Sequence, residues 1–141
     1  MSIVVRQLLD ASSRGRYAVV EHHGELLRAE VVGTCHAIEA AVGVPLCAEL
    51  DFLSVESCLV KSESSPEQHG LFQCPDGRVR VVGAVHSIIP VDDSDSILDI
   101  YLQRGPEFLA LESSAIPGPP PTVGDTVEVI VTGLTFFPAW T

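Results

Sequence analysis

The chain has 141 residues, 46% apolar and 19% charged, with 8 basic and 19 acidic side chains for a net charge of −11. That length predicts one domain, at roughly 150 residues per domain, and the apolar content excludes intrinsic disorder as the main state. The scarcity of cations argues against nucleic-acid binding and against attachment to an anionic membrane surface. No stretch approaches the about 18 apolar residues of a membrane span, and the first sixteen residues lack the pattern of a signal peptide. Cys35, Cys47, Cys58 and Cys74 are scattered, with no Cys-x-x-Cys pair. They read as reduced, mostly buried thiols of a cytoplasmic protein.

In chain order, residues 1–14 read as a lead-in to a single β-rich domain covering 1–141. Residues 16–32 form a hairpin about His23-Gly24, with Val20 opposite Leu27 and Ala18 opposite Ala29 on an apolar face. The other face, Tyr17, Val19, Glu21, Leu26, Arg28 and Glu30, is mixed and partly wet. Thr34 caps a short helix that Gly43 ends. Residues 45–60 alternate, with Leu46, Ala48, Leu50 and Phe52 on one side, as one bent strand or two short ones. Residues 61–69 are an exposed polar loop.

Pro75-Asp76-Gly77 is a turn flanked by strands, since Pro fixes φ and Gly takes the left-handed slot. Gly83 interrupts the second of these strands and marks a bulge or bend. Residues 97–103 and 107–113 form another hairpin, joined through Arg104-Gly105-Pro106. The connection 113–125 is Pro-rich and strandless. Residues 126–131 alternate cleanly, with Val127, Val129 and Val131 on one face. Residues 134–141 form an aromatic tail. Seven to nine strands with one short helix predict a mainly β fold, either a small Greek-key (OB-like) barrel or a β-sandwich.

The residues carrying possible chemistry are sparse. His22 and His23 sit at the hairpin turn, where strand neighbours point to opposite faces; they read as exposed turn residues unless His22 joins His36 or His86 as a ligand or general base. Cys35-His36 at a helix start is the one arrangement that favours a thiolate nucleophile. His69 with Cys74, and Cys58 with His86, lack zinc-site spacing. Asp92, Asp93 and Asp95 lack the glycine and distal glutamate of a calcium loop, so no metal or cofactor is expected. Phosphate-binding, nucleophile-elbow and metalloprotease motifs are absent.

The acidity is concentrated at the C-terminal end: residues 91–141 carry eight acids and one base. With the tail Phe136, Phe137 and Trp140, that predicts a non-enzymatic acidic binding protein. Its binding residues would be these aromatics and the Asp92, Asp93 and Asp95 loop. Its partner would be a protein or a second copy, the latter as a homodimer, with no nucleic acid and no membrane. The alternative is a small-ligand barrel or small enzyme with a pocket lined by Val and Leu and polar groups such as His22, His86 or Tyr101, its catalytic candidates being His22, His36, His86 and Cys35.

Overall fold

The first hairpin forms in the expected register. In the computed structural model, which describes residues 1–61, 68–102 and 107–140, β2 (Gly15–His22) pairs antiparallel with β3 (Glu25–Val32). Val20 lies opposite Leu27 and Ala18 opposite Ala29. His23 and Gly24 have φ of 47° and 81°, the mirror-image turn whose twist suits flanking strands. The outer face is mixed and partly wet as expected, with Tyr17, Leu26 and Arg28 exposed. Glu30 is buried because Arg14 Nη2 donates to its Oε1 at 2.6 Å.

Residues 1–14 are more than a lead-in. β1 (Ser2–Ala11) is a full strand, paired with β2 on one edge and with β4 (Pro45–Asp51) on the other. Ile3 and Val5 point inward, but a register shift between Val5 and Gln7 then resets the pleat. A bulge of this kind erases the period of two by which a strand is read. After β3, Thr34 Oγ1 accepts from the Ala37 amide at 3.1 Å and opens α1 (Cys35–Ala40), which buries Ile38.

The barrel is closed by the tail. β11 (Thr135–Pro138) runs parallel to β3 and antiparallel to β4, giving the closed order β1-β2-β3-β11-β4. The strand ends at Pro138, which cannot supply a ladder donor. Five strands in this order, with a helix between the third and fourth, make a Greek-key barrel of OB type.

Between the fourth and fifth barrel strands the chain inserts a second sheet. It comprises β5 (Ser54–Lys61), β6 (Gly70–Gln73), β7 (Val79–Pro90), β8 (Ser96–Leu102), β9 (Glu107–Glu112) and β10 (Thr126–Thr132), in the order β5-β10-β7-β8-β9 with β6 beside β7. The 45–60 run is therefore two strands in two sheets. β4 continues into β5 and β10 into β11, and the two paths bend together. The Leu53 amide bonds the Thr132 carbonyl at 2.8 Å, and Gly133 (φ +67°) sits against Leu53. The eleven strands among the described residues exceed the count expected from sequence, but buried residues of both sheets form one continuous core.

Within the insert, Pro75–Gly77 turns as expected between β6 and β7, with Asp76 and Gly77 at φ 66° and 76°. Gly83 behaves differently from the expectation. β7 pairs with β10 through it without interruption, and the register shift falls at His86, between Val85 and Ser87. Gly83 is there because β8 crosses close by. A Cβ would meet Ile100 Cγ2 at 2.7 Å and the Tyr101 carbonyl at 2.8 Å. β8 and β9 form the expected hairpin; its connection at Arg104-Gly105-Pro106 lies outside the described residues, as does most of the polar loop 61–69. His69, at the end of that loop, is buried rather than exposed. Residues 113–125 carry only a 3-10 turn at Ser113–Ala115, and Val127, Val129 and Val131 of β10 point into the core.

The four cysteines are all free, but none is buried. Cys35 and Cys47 are exposed and Cys58 and Cys74 half-buried. Cys47 shares the outer face of β4 with Glu49 and Asp51, opposite the inward Ala48. No helix among the described residues is long and apolar enough to cross a membrane.

Candidate functional site

The β2–β3 turn reaches across to the start of β9, and there His22, His23 and Glu107 converge. His22 is only 1% exposed. Its Nε2 lies 2.6 Å from Glu107 Oε2, while His23 Nε2 lies 3.5 Å from Glu107 Oε1. The two imidazoles meet edge to face at 4.4 Å. The turn makes this possible. His23 has left the extended conformation, so strand alternation no longer holds the neighbouring rings apart. Burial depresses the His22 pKa, and the hydrogen bond and charge of Glu107 only partly oppose it. That favours the neutral ring, in the tautomer that donates Nε2–H to the Glu107 carboxylate. His22 is thus a buried seam residue, against the expectation of an exposed turn histidine. Glu107, its partner 85 residues away, carries no signal in the sequence.

The other candidates lie apart. His86 is exposed and packs against Phe108 (5.3 Å) and Tyr101 (6.2 Å). Because Glu107 and Phe108 are strand neighbours, they project from opposite faces, so His86 and His22 do not share a site. His36 and Cys35 are both exposed on α1, and none of the cavities described below is lined by a histidine or cysteine.

The aromatic tail is taken up by the chain's own barrel. Phe136 is fully buried. Phe137 lies under the Arg14 guanidinium, 5.5 Å from ring centre to Cζ. The Trp140 indole N–H donates to the Val32 carbonyl at 2.9 Å, and its ring covers Gly33. Two of the three loop aspartates are likewise engaged. Asp92 Oδ1 accepts from the Ser94 amide and hydroxyl. Asp95 accepts from the Ser113 and Ser114 hydroxyls and from the Ser96 and Ser114 amides, tying the start of β8 to the turn after β9. These bonds hold both carboxyls below the ordinary range, the Ser94 amide leading at Asp92 and the Ser113 hydroxyl at Asp95. Asp93 is exposed.

An open groove runs beside β9. One cavity of about 390 Å³ is bordered by residues 50–54, Ile97, residues 110–112 and Ala115. A second, of about 280 Å³, is bordered by Met1, residues 48–50 and residues 108–110. Leu50 and Ala110 border both. Five consecutive residues of β9, Phe108 to Glu112, line this groove. Side chains from both faces of a strand are reached together only along its edge, and β9 is the last strand of its sheet. The walls are mixed, and their apolar side chains include Leu53, 85% exposed, and Phe108, 54% exposed. The rim carries Glu49, Asp51 and Glu112 and, among the described residues, no basic side chain. Sequence reading missed this groove because its two walls come from separate sheets. A third cavity, about 320 Å³ on the outer face of β2 and β3, sets Arg28 beside Asp10 and Glu30. One cation among two carboxylates makes a poor phosphate site.

The buried histidines set a pH dependence. His22 and His69 are both held below the ordinary histidine value, chiefly by burial. The unfolded chain therefore takes up protons first as the pH falls below about 6.5, and folding stability drops across that window. Glu30, Asp92 and Asp95 are held below the carboxylate range, Glu30 chiefly by the Ser12 hydroxyl. Their stabilisation is present above that range and lost as pH falls through it, in a second step. Urea midpoints in chelator-containing buffer should fall between pH 7.5 and 5, and fall again below pH 4.5. His69→Gln should flatten the first step. A midpoint constant from pH 7.5 to 5 would contradict this assignment.

Fold and site together define an OB-type barrel carrying an inserted β-sheet, with an acid-rimmed groove at the seam of the two. No protein-family model, curated protein or solved structure matches the chain.

Proposed function

We propose that the protein is a non-enzymatic binding module that takes an extended, basic segment of a partner protein into the groove beside β9. The observation that carries this reading is a strand edge that is unpaired among the described residues and flanked by exposed apolar side chains and three carboxylates. An added strand completes the ladder of such an edge with main-chain hydrogen bonds. Alternating apolar side chains of the segment meet Leu50, Leu53 and Phe108, and its cations meet Glu49, Asp51 and Glu112. The net charge of −11 supports the choice of a basic partner by steering the encounter. The barrel interior is filled, with Ile3, Val5, Ala18, Val20, Leu27, Val31 and Phe136 each almost fully buried. That favours a surface interaction over a ligand held inside the barrel. Four free cysteines suit a reducing compartment such as the cytoplasm.

The test is a fluorescence-anisotropy titration with a labelled peptide of alternating valine and lysine. Micromolar binding that weakens with salt is expected, with amide shifts concentrated at residues 108–112. Combined Glu49→Lys, Asp51→Lys and Glu112→Lys should weaken it at least tenfold, about 1.4 kcal/mol. An affinity unchanged by the three reversals would refute the groove as the site. Sedimentation showing that the groove is instead closed by a second copy would refute the basic-partner reading.

A further inference from the structure

The His22, His23 and Glu107 cluster is more than the hydrogen bond it contains, and it does not depend on the groove being a binding site. Among the described residues it is the one group of three potential metal ligands that converges, with one ring nitrogen of each histidine and a carboxylate oxygen within 4.8 Å of one another. We infer that His22, His23 and Glu107 form a binding site for a divalent transition metal of the zinc class, placed at the seam between the β2–β3 turn and the start of β9.

Two imidazoles and one carboxylate are a donor set that zinc accepts, leaving a fourth position for water. Ligand atoms about 2.0–2.2 Å from such an ion lie roughly 3.3–3.5 Å from one another in a tetrahedron. The His23–Glu107 separation of 3.5 Å already has that spacing. His22 Nε2 lies 2.6 Å from the other carboxylate oxygen, Oε2, so the carboxylate must turn or bind through both oxygens as that hydrogen bond gives way to metal bonds. His22 then carries its proton on Nδ1 and presents the Nε2 lone pair. Access is from the His23 side, where the ring is one-third exposed while Glu107 and His22 are nearly covered. The ligands come from two separate sheets, so an ion there ties the first residue of β9 to the barrel turn. Nothing in the spacing of the sequence announces the set, because its acid lies 84 residues beyond the nearer histidine.

Zinc chloride is the probe, titrated into the chelator-dialysed full chain and followed by calorimetry, with cobalt(II) as a spectroscopic substitute. About one zinc per chain, bound with micromolar or tighter affinity, is expected, together with a rise in melting temperature and a cobalt spectrum free of thiolate charge transfer. His23→Asn suits the left-handed turn position and Glu107→Gln keeps a hydrogen-bonding partner for His22, so both should stay folded by circular dichroism. Each should weaken zinc at least tenfold, and the zinc-induced rise in melting temperature should shrink in step. Absence of stoichiometric zinc in the folded chain would overturn the site. So would zinc affinity unchanged in both variants, or cobalt bands of thiolate origin, which would place the metal on the cysteines.

Discussion

Removing residues 134–141 should unfold the protein. The segment contains β11, which is held by β3 on one side and β4 on the other, so its loss opens the barrel and leaves two strands with bare edges. It also removes Phe136, which is fully buried. Phe136→Ala alone should cost about 3–5 kcal/mol, the usual penalty for emptying a large aromatic site in a packed core. Against a total stability of roughly 5–15 kcal/mol for a domain, that single change removes a large share. Trp140 is the only tryptophan and packs on Gly33, so its fluorescence follows docking of the tail directly. Chemical denaturation of Phe136→Ala, and circular dichroism of the truncated chain, decide the matter. A truncated protein that keeps its fold and its denaturation midpoint would mean that β11 is dispensable.

Gly15→Ala should be nearly as damaging, for a different reason. Gly15 opens β2 where the β1–β2 loop folds back on the end of β3. Its amide donates to Ser12 Oγ, and the Gly33 amide donates to the Arg14 carbonyl. A Cβ there would sit 2.0 Å from the Val31 carbonyl oxygen, an atom fixed in the β2–β3 ladder. Relief requires prising the strands apart, so the loss should reach or exceed about 3 kcal/mol, the top of the ordinary range for overpacking. Gly77→Ala is the control. Space there is open and only the positive φ is at issue, which costs about 1–2 kcal/mol. Equal denaturation midpoints for the two variants would show that the steric reading of Gly15 is wrong.

What the sequence determined by itself is the local β structure. Turn residues and the period of two act within a few positions. His23-Gly24 therefore sets the register of β2 on β3, Pro75–Gly77 joins β6 to β7, and alternation from Thr126 to Thr132 turns three valines inward, each legible without tertiary information. Thr34 announced the helix for the same reason: a cap is a contact three residues long.

Tertiary structure decided whatever depends on pairing over distance. β1 escaped notice because its bulge breaks the alternation, and only its two neighbours show it to be a strand. The division of 45–60 between two sheets depends on Leu53 meeting Thr132 and Gly133. Gly83 looks like a strand interruption until the crossing of β8 supplies the reason for it. The aromatic tail carried a sequence signal for docking, but its place between β3 and β4 could be read only from the closed barrel. The seam cluster and the groove are furthest from the sequence. Each takes its members from both sheets, and hydrophobic patterning says which face of a strand is buried without saying which distant strand covers it.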